Sequence, residues 1–290
     1  MIIVCVILNY NDSQTTIRLV ERIKNYETLS HIVVVDNKST DNSFNRLSKY
    51  ANDKIHVINS NKNGGYAYGN NFGMRYSYYE LKADQIIIAN PDVEFSNKCV
   101  QEMSDVLFRE ERCAIVCPMP TTPQNIPQTN VAWRIPTALK YMFIASTLAT
   151  RIRRTVFYDA KYYEGQQYCF VDCVEGSLLM VDAKIMMEYG MYDEDIFLYC
   201  EETVLGYKLK RSGFRTIIMP NNTYVHRHSV SIDKSYPSIM GKQRLLYASK
   251  LTVFKKYYGL NNVQIILVKA FFAYCSLEAR AVALLKKIMR

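Results

Sequence analysis

Four short apolar runs, each closed by polar residues, organise the first third of the chain. They are "IIVCVILNY" (2–10), "HIVVVDN" (31–37), "KIHVINS" (54–60) and "QIIIANPD" (85–92). Unbroken apolar runs of this length predict strands buried on both faces, as in a parallel sheet. Between them, Ile17, Val20 and Ile23 recur at helical spacing. "STDNSFNRLSKYA" reads as a second helix with Ser39 or Thr40 as its cap, and "NKNGGYAYGNNFGMRYSYYE" as a Gly/Asn loop running into a third. Strand alternating with helix predicts a doubly wound α/β sheet. Ligands of such sheets bind beyond the carboxyl ends of the strands. The polar residues at those ends are Asn9, Tyr10, Asn11, Asp36, Asn37, Asn61, Asn63, Asn90 and Asp92, which are therefore expected to share one cleft.

Residues 96–117 read as a helix and a short strand, "CAIVCP". From 118 to 168 the pattern loosens: Pro118, Pro120, Pro123, Pro127 and Pro136 interrupt it, and the apolar "TALKYMFIASTLATRIRR" has no secure assignment. Order resumes with a strand expected to run through Glu175, Gly176 and Ser177, then a helix. "EETVLGYKLKRSG" is a helix stopped by Gly213. "RTIIMP" is a strand, with "NTYVHRHS" after it. The last sixty or so residues change character. Two helical segments rich in apolar, Tyr and Lys/Arg residues predict a main domain over 1–230 and a helical extension over 231–290. That extension either packs on the domain or lies on a membrane surface.

The net charge of +9 suits anionic partners such as diphosphates or an acidic membrane. No arginine-rich run or zinc-finger spacing points to nucleic acid, which is excluded as a partner. The 23 Tyr against one Trp suit sugar faces, nucleobases or membrane interfaces, or else reflect genome composition. Eight Cys in a chain this long read as buried thiols in a reducing cytosol, and the two CxxxC spacings are weak metal signals. The apolar start lacks a basic leader region and a cleavage site, so it is read as a strand. No uncharged apolar run reaches the roughly 20 residues of a membrane span. The expectation is a soluble or peripherally attached protein.

Asp92 stands at a strand end, where Pro91 fixes the chain's exit. An isolated carboxylate in a cleft needs a partner or a cation. A divalent metal gripping a diphosphate satisfies it, and so does a capping role toward the helix near Ser96. In order along the chain come "VCVILNYND", "IVVVDNKSTDNS", "NKNGGYAYGNNFGM", "IIIANPDV", "VEGSLLMVDAKIMMEYGMYDEDIFLYCEETVLGYKLKRSGF" and "YVHRHS". With this ordered set, residues 1 to about 230 resemble the family 2 inverting glycosyltransferases, most of all the rhamnosyltransferase-like bacterial branch that builds surface polysaccharide.

The resemblance implies a glycosyltransferase A fold, a Rossmann-like, mixed but mainly parallel sheet flanked by helices. It also implies a UDP- or dTDP-sugar donor and a divalent metal, Mn²⁺ or Mg²⁺. By position it puts Asn9, Tyr10, Asp36, Asn61, Asn63, Gly64, Gly65 and Asn90 on the nucleotide. Asp36 would accept the imide N–H of uracil or thymine; an Asx-turn with Ser39 is its other reading. Asp92 and His226 would be the metal ligands, His226 being otherwise a surface histidine. Asn90 replaces the first Asp of the family's Asp-x-Asp motif, which weakens the metal site. Glu202 would be the general base. Glu201, Glu175 and Gly176 would wall the sugar and acceptor side. Val204 stands where a further Asp is common. The implied function is transfer of a hexose or deoxyhexose, rhamnose included, to a glycan, lipid-linked at the cytoplasmic face of the membrane. The rivals are a nucleotidyltransferase, which "NYNDSQTT" does not support for want of basic residues, and a catalytically inactive sugar- or nucleotide-binding subunit, favoured by Asn90 and Val204.

Overall fold

The structure, a computed structural model, describes residues 1–227 and 239–288. Its first part follows the expected alternation: β1 (Ile3–Asn9), α1 (Ser13–Ile23), β2 (His31–Asp36), α2 (Ser43–Ser48), β3 (Ile55–Asn59), α3 (Gly65–Tyr79) and β4 (Gln85–Ala89). β3, β2, β1 and β4 lie side by side, all parallel. α2 begins later than expected. Ser39 gives its amide and hydroxyl to Asp36, and the first helical amide, that of Ser43, bonds to Asp41 Oδ1 at 2.9 Å.

After β4 come β5 (Val93–Glu94), α4 (Asn97–Arg109), β6 (Cys113–Thr121), β7 (Ala132–Trp133), α5 (Ala138–Phe143), α6 (Thr150–Val156), α7 (Ala160–Tyr163), β8 (Cys169–Val171), β9 (Cys173–Val174) and β10 (Leu178–Asp182). Then follow α8 (Ala183–Ile185), which widens into a π-turn over Met186–Gly190, α9 (Glu201–Arg211), β11 (Arg215–His226), α10 (Ile239–Lys256) and α11 (Asn262–Ile288). The main sheet has nine strands in the order β3-β2-β1-β4-β10-β6-β11-β5, with β8 also on β11. It is mixed: β10 runs antiparallel between β4 and β6. The strand expected through Glu175, Gly176 and Ser177 is interrupted there. β9 leaves the main sheet to pair with β7, and only β10 rejoins it. β11 is one strand through the segment expected to follow it, with a register shift between Met219 and Thr223, where Pro220 removes a donor.

Alternating residues of each strand feed opposite faces of the sheet. Ile7, Ile87, Met180 and Ile217 pack with α1 and α4 through Leu19, Ile23, Val100 and Met103. Val6, Ile88, Val181 and Ile218 pack with α3, α9 and the π-turn through Met74, Leu205, Leu209 and Met186. Each side chain so buried contributes about 1.5–3 kcal/mol. The glycines of α3 serve this packing. A Cβ on Gly73 would stand 2.5 Å from Val6 Cγ1 and 2.7 Å from Val35 Cγ2. Their spacing lets the helix backbone lie directly on β1 and β2.

The C-terminal helices pack on the domain. Val253, Phe254, Ile265, Val268 and Phe272 form a third cluster with Tyr141, Ile196, Cys200 and Val204. Ser249 donates to Leu198 O at 2.6 Å and Tyr257 to Asp193 Oδ2 at 2.8 Å, so α10 and the turn after it clamp the loop before α9. The boundary expected at 230, and His228, lie outside the described residues. No described helix is long and apolar enough to cross a membrane. All eight cysteines are buried and none is in a disulfide.

Gly73→Val should lower stability by about 1–3 kcal/mol through overpacking, measured as a reduced urea midpoint with unchanged slope.

Candidate active site

The carboxyl ends of β1 and β2 hold a closed polar knot. Asn9 donates to Asp36 Oδ1 at 2.8 Å and to Ser39 Oγ at 3.2 Å, and accepts from Thr16 Oγ1 at 2.9 Å. Asp36 is fully buried; Ser39 donates its hydroxyl to Oδ1 at 2.6 Å and its amide to Oδ2 at 2.9 Å. The turn with Ser39 is thus present, and Oδ2 holds that one bond. Asn37 is the keystone of the next loop. Its Nδ2 reaches Asn63 Oδ1 at 3.2 Å and Gly65 O at 3.0 Å, and its Oδ1 accepts from Ser60 at 3.1 Å. Tyr10 is half-buried and Asn61 exposed on the rim of this end. Gly65 has φ +83°, and a Cβ there would fall 2.0 Å from Phe197 O. Close approach to the loop before α9 therefore demands glycine at this position.

At the other end of the cleft, the exit from β4 explains Asp92. Asn90 N–H donates to Ser177 O at 2.8 Å, and the chain then turns back as β5 against the end of β11. The register pairs Val93 with His226, and Arg227 N–H donates to Asp92 O at 3.1 Å. Asp92 and His226 are thereby neighbours: Asp92 Oδ1 lies 3.6 Å from His226 Nε2, and both side chains are 9% exposed. The helix cap that Asp92 was expected to supply, if not a ligand, comes from Ser96, which accepts from Cys99 N–H at 3.0 Å. Glu175 Oε1 holds His226 Nδ1 at 2.6 Å and so aims Nε2 at Asp92. Burial opposes a charged imidazole, but the bonds to Asp92 and Glu175 outweigh it and lift His226 to about 9. The ring is therefore the positive charge between two carboxylates at neutral pH.

A carboxylate oxygen and an imidazole nitrogen this close, the ring fixed by an outer carboxylate, fit a divalent cation once Nε2 has released its proton to make room for it. Among the described residues no group of three or more His, Cys, Asp or Glu is arranged to hold a metal. The described residues therefore offer two donors, and a bound cation would draw its other ligands from solvent or a bound anion.

Glu201 and Glu202 open α9 directly after a strained turn. Tyr199 and Cys200 adopt φ 71° and 76°, a left-handed conformation costing on the order of 1–3 kcal/mol each outside glycine. Glu201 is 3% exposed and its Oε1 has no hydrogen-bond partner. Burial, and then the charge of Glu202, raises it well above the carboxylate range. Glu201, expected at the acceptor wall, is thus a buried carboxyl at the start of α9. Glu202 lies against Gly176, where a Cβ would come within 2.7 Å of Oε1. Burial raises it to about 7, aided by the charge of Glu175 and opposed by backbone amides of its own residue and Gly176.

The structure brings Asp92, His226, Glu175, Gly176 and Glu202 together and seats Asn9, Asp36 and Asn63 in the polar knot. Two further residues matter here. Asn37 was legible only as one more polar strand end. Tyr66 donates its hydroxyl to Gly176 O at 2.6 Å and its amide to Phe197 O at 2.9 Å, linking α3 to both acidic turns. Val204 has its own reason: it is 1% exposed inside the third apolar cluster, whose packing an Asp would lose.

Residues 4–166 match the glycosyl transferase family 2 profile, and the chain belongs to this family. It is 27% identical over 211 residues to the low-salt glycan biosynthesis hexosyltransferase Agl10 of Haloferax volcanii, covering 72% of this chain and 61% of that protein. It is 25% identical over 154 residues to the N-acetylglucosaminyl-diphospho-decaprenol L-rhamnosyltransferase of Mycobacterium tuberculosis, covering 52% of this chain and 50% of that one. The chain thus spans 50–61% of the length of these curated relatives. In fold it is similar to GalNAc-T7, solved with UDP, GalNAc and Mn²⁺, at a TM-score of 0.62 and 13% identity over 89% of this chain and 49% of that one.

Glu202 binds a proton between its unfolded value near 4.5 and about 7 in the fold, so stability should fall as pH rises through that window. Glu202→Gln should therefore melt higher than the parent at pH 8 and show no such gain at pH 4, read by thermal scans at both values.

Proposed function

We propose that this chain is an inverting glycosyltransferase that moves a hexose or deoxyhexose, rhamnose included, from a UDP- or dTDP-sugar to a hydroxyl of a growing glycan on a lipid carrier at the cytoplasmic membrane face. One observation carries the reading: a half-buried carboxyl raised to about 7, Glu202, lies against Gly176, next to the Glu175 that holds the separate Asp92–His226 pair. Base and cation site are distinct, as a direct displacement requires. Family membership supports the reaction class, and the names of the rhamnosyl and hexosyl relatives support the sugar class and the lipid-borne acceptor.

In this mechanism the knot of Asn9, Asp36 and Asn63, with Tyr10, Asn61, Gly65 and Asn90 around it, holds the nucleotide. Asp36, fully buried, backs this knot by fixing Ser39 and Asn9. Asp92 and His226 would hold Mn²⁺ or Mg²⁺, and what such a cation supplies is neutralisation of the charge on the departing diphosphate. Glu202 takes the proton from the acceptor hydroxyl as its oxygen attacks the anomeric carbon from the face opposite the leaving group. A base with a value near 7 is about half ionised at neutral pH yet strong enough to accept that proton. Gly176, having no side chain, leaves its carboxyl room, and Tyr66 fixes the Gly176 carbonyl from behind. Glu175 orients His226.

Calorimetry with UDP and dTDP, each with Mn²⁺, Mg²⁺ or EDTA, names the base and the cation. Binding should need the cation and weaken at least tenfold in Asp92→Ala; binding that ignores EDTA would remove Asp92 and His226 from the ligand role. Glu202→Gln should lose at least a hundredfold in turnover with donor affinity nearly unchanged. The parent kcat/KM should drop about tenfold per pH unit below about 7. Retained turnover in Glu202→Gln would refute the base assignment. The inactive-subunit alternative rests on Asn90, and predicts donor binding with no turnover in the parent chain.

A further inference from the structure

α11 buries one side and bares the other. Ile265, Val268, Phe272 and Cys275 face the domain. At 100° per residue the opposite side carries Val263, Ile266, Leu267, Tyr274 and Leu277, all 54–68% exposed. They form one stripe about 100° wide and about 20 Å long. Such a stripe on a water-facing helix needs a partner.

A second element extends the stripe. Phe143 meets Phe271 edge-on at 5.3 Å, and Glu278 accepts from Ser146 Oγ at 2.7 Å, from Leu148 N–H at 2.8 Å and from Thr147 Oγ1. The loop after α5 is thus stapled along one flank of α11, and Leu148, at its tip, is 68% exposed. The exposed charges of α11 and of the 137–156 segment have one sign. Exposed Arg151 and Arg154 follow Leu148, and exposed Lys269 and Arg280 lie on the other flank of the helix. The one acid of α11 is Glu278, which is buried in the staple.

We infer that the exposed stripe of α11, extended by Leu148 and rimmed by these four cations, is a docking surface for an anionic lipid bilayer. An apolar stripe between rows of basic residues is the pattern of a helix lying in the headgroup plane, with Lys and Arg stems reaching outward to phosphate. A second copy of this chain would bring the same cations against one another. The place also suits the lipid-borne acceptor proposed above, and rests on that reading for its purpose. The buried side of the same helix joins the cluster that contains Cys200 and Val204, on either side of Glu202 in the chain, so a docked helix is tied to the element that carries the base.

The test is flotation of the full chain with vesicles of phosphatidylcholine alone and with added phosphatidylglycerol, beside light scattering of the protein in solution. Binding should appear with the anionic vesicles and weaken with salt. Ile266→Glu with Leu277→Glu should reduce it at least tenfold, while UDP and dTDP binding stay at the parent level. Removal of one rim charge, Arg154→Gln, should weaken it up to about fivefold. Absence of flotation at low salt overturns the inference, as does a dimer that the double variant dissolves. Nucleotide binding and turnover are read separately, so a failed donor reading leaves a distinct signature from a failed membrane surface.

Discussion

A charge taken out of water must be matched, and His226 is where this fold meets that requirement. The ring stands between Asp92 and Glu175, and each comes from a different part of the chain. β4 must end at Asn90 to bond Ser177, β5 must turn back in register with β11, and β9 must leave the sheet so that the Glu175 turn faces the same point. The mixed sheet is the scaffold this cluster needs. The antiparallel β10 places that turn beside the exit of β4, which an all-parallel order would not do.

The second constraint is the position of Glu202. It is set by a left-handed pair of residues that carry side chains, and such a turn persists only when its surroundings over-determine it. Here they do. Tyr66 binds Phe197 and Gly176, α10 binds Leu198, and Cys200 lies in the C-terminal apolar cluster. The C-terminal helices are therefore structural neighbours of the chemistry as well as a surface of their own.

Much of this was legible in the sequence, and the rest was not for definite reasons. β1 to β4 announce themselves because burial on both faces leaves no polar position inside a strand. The direction of β10 carries no such mark, since a local pattern is the same whichever way the strand runs. Ser39 looked like a helix cap because caps and Asx-turns use the same residue types; only the distance to Asp36 separates them. The glycines after Asn63 suggested a ligand loop, yet Gly73 answers to β1 and β2 and Gly65 to Phe197. Asp92 and His226 were paired through resemblance to a family, not through spacing, because their meeting depends on a strand register that no local pattern specifies. Val204 counted toward an inactive protein until its packing supplied a simpler reason.

The eight thiols have a consequence of a different kind. Every one is buried, and burial raises the value of each above that of a free cysteine. The thiolate is the reactive form. At neutral pH this chain is thus nearly silent to maleimides, despite its cysteine content. A single cysteine placed on its surface would take a fluorophore or spin label against a blank background, with no native thiol to be removed first.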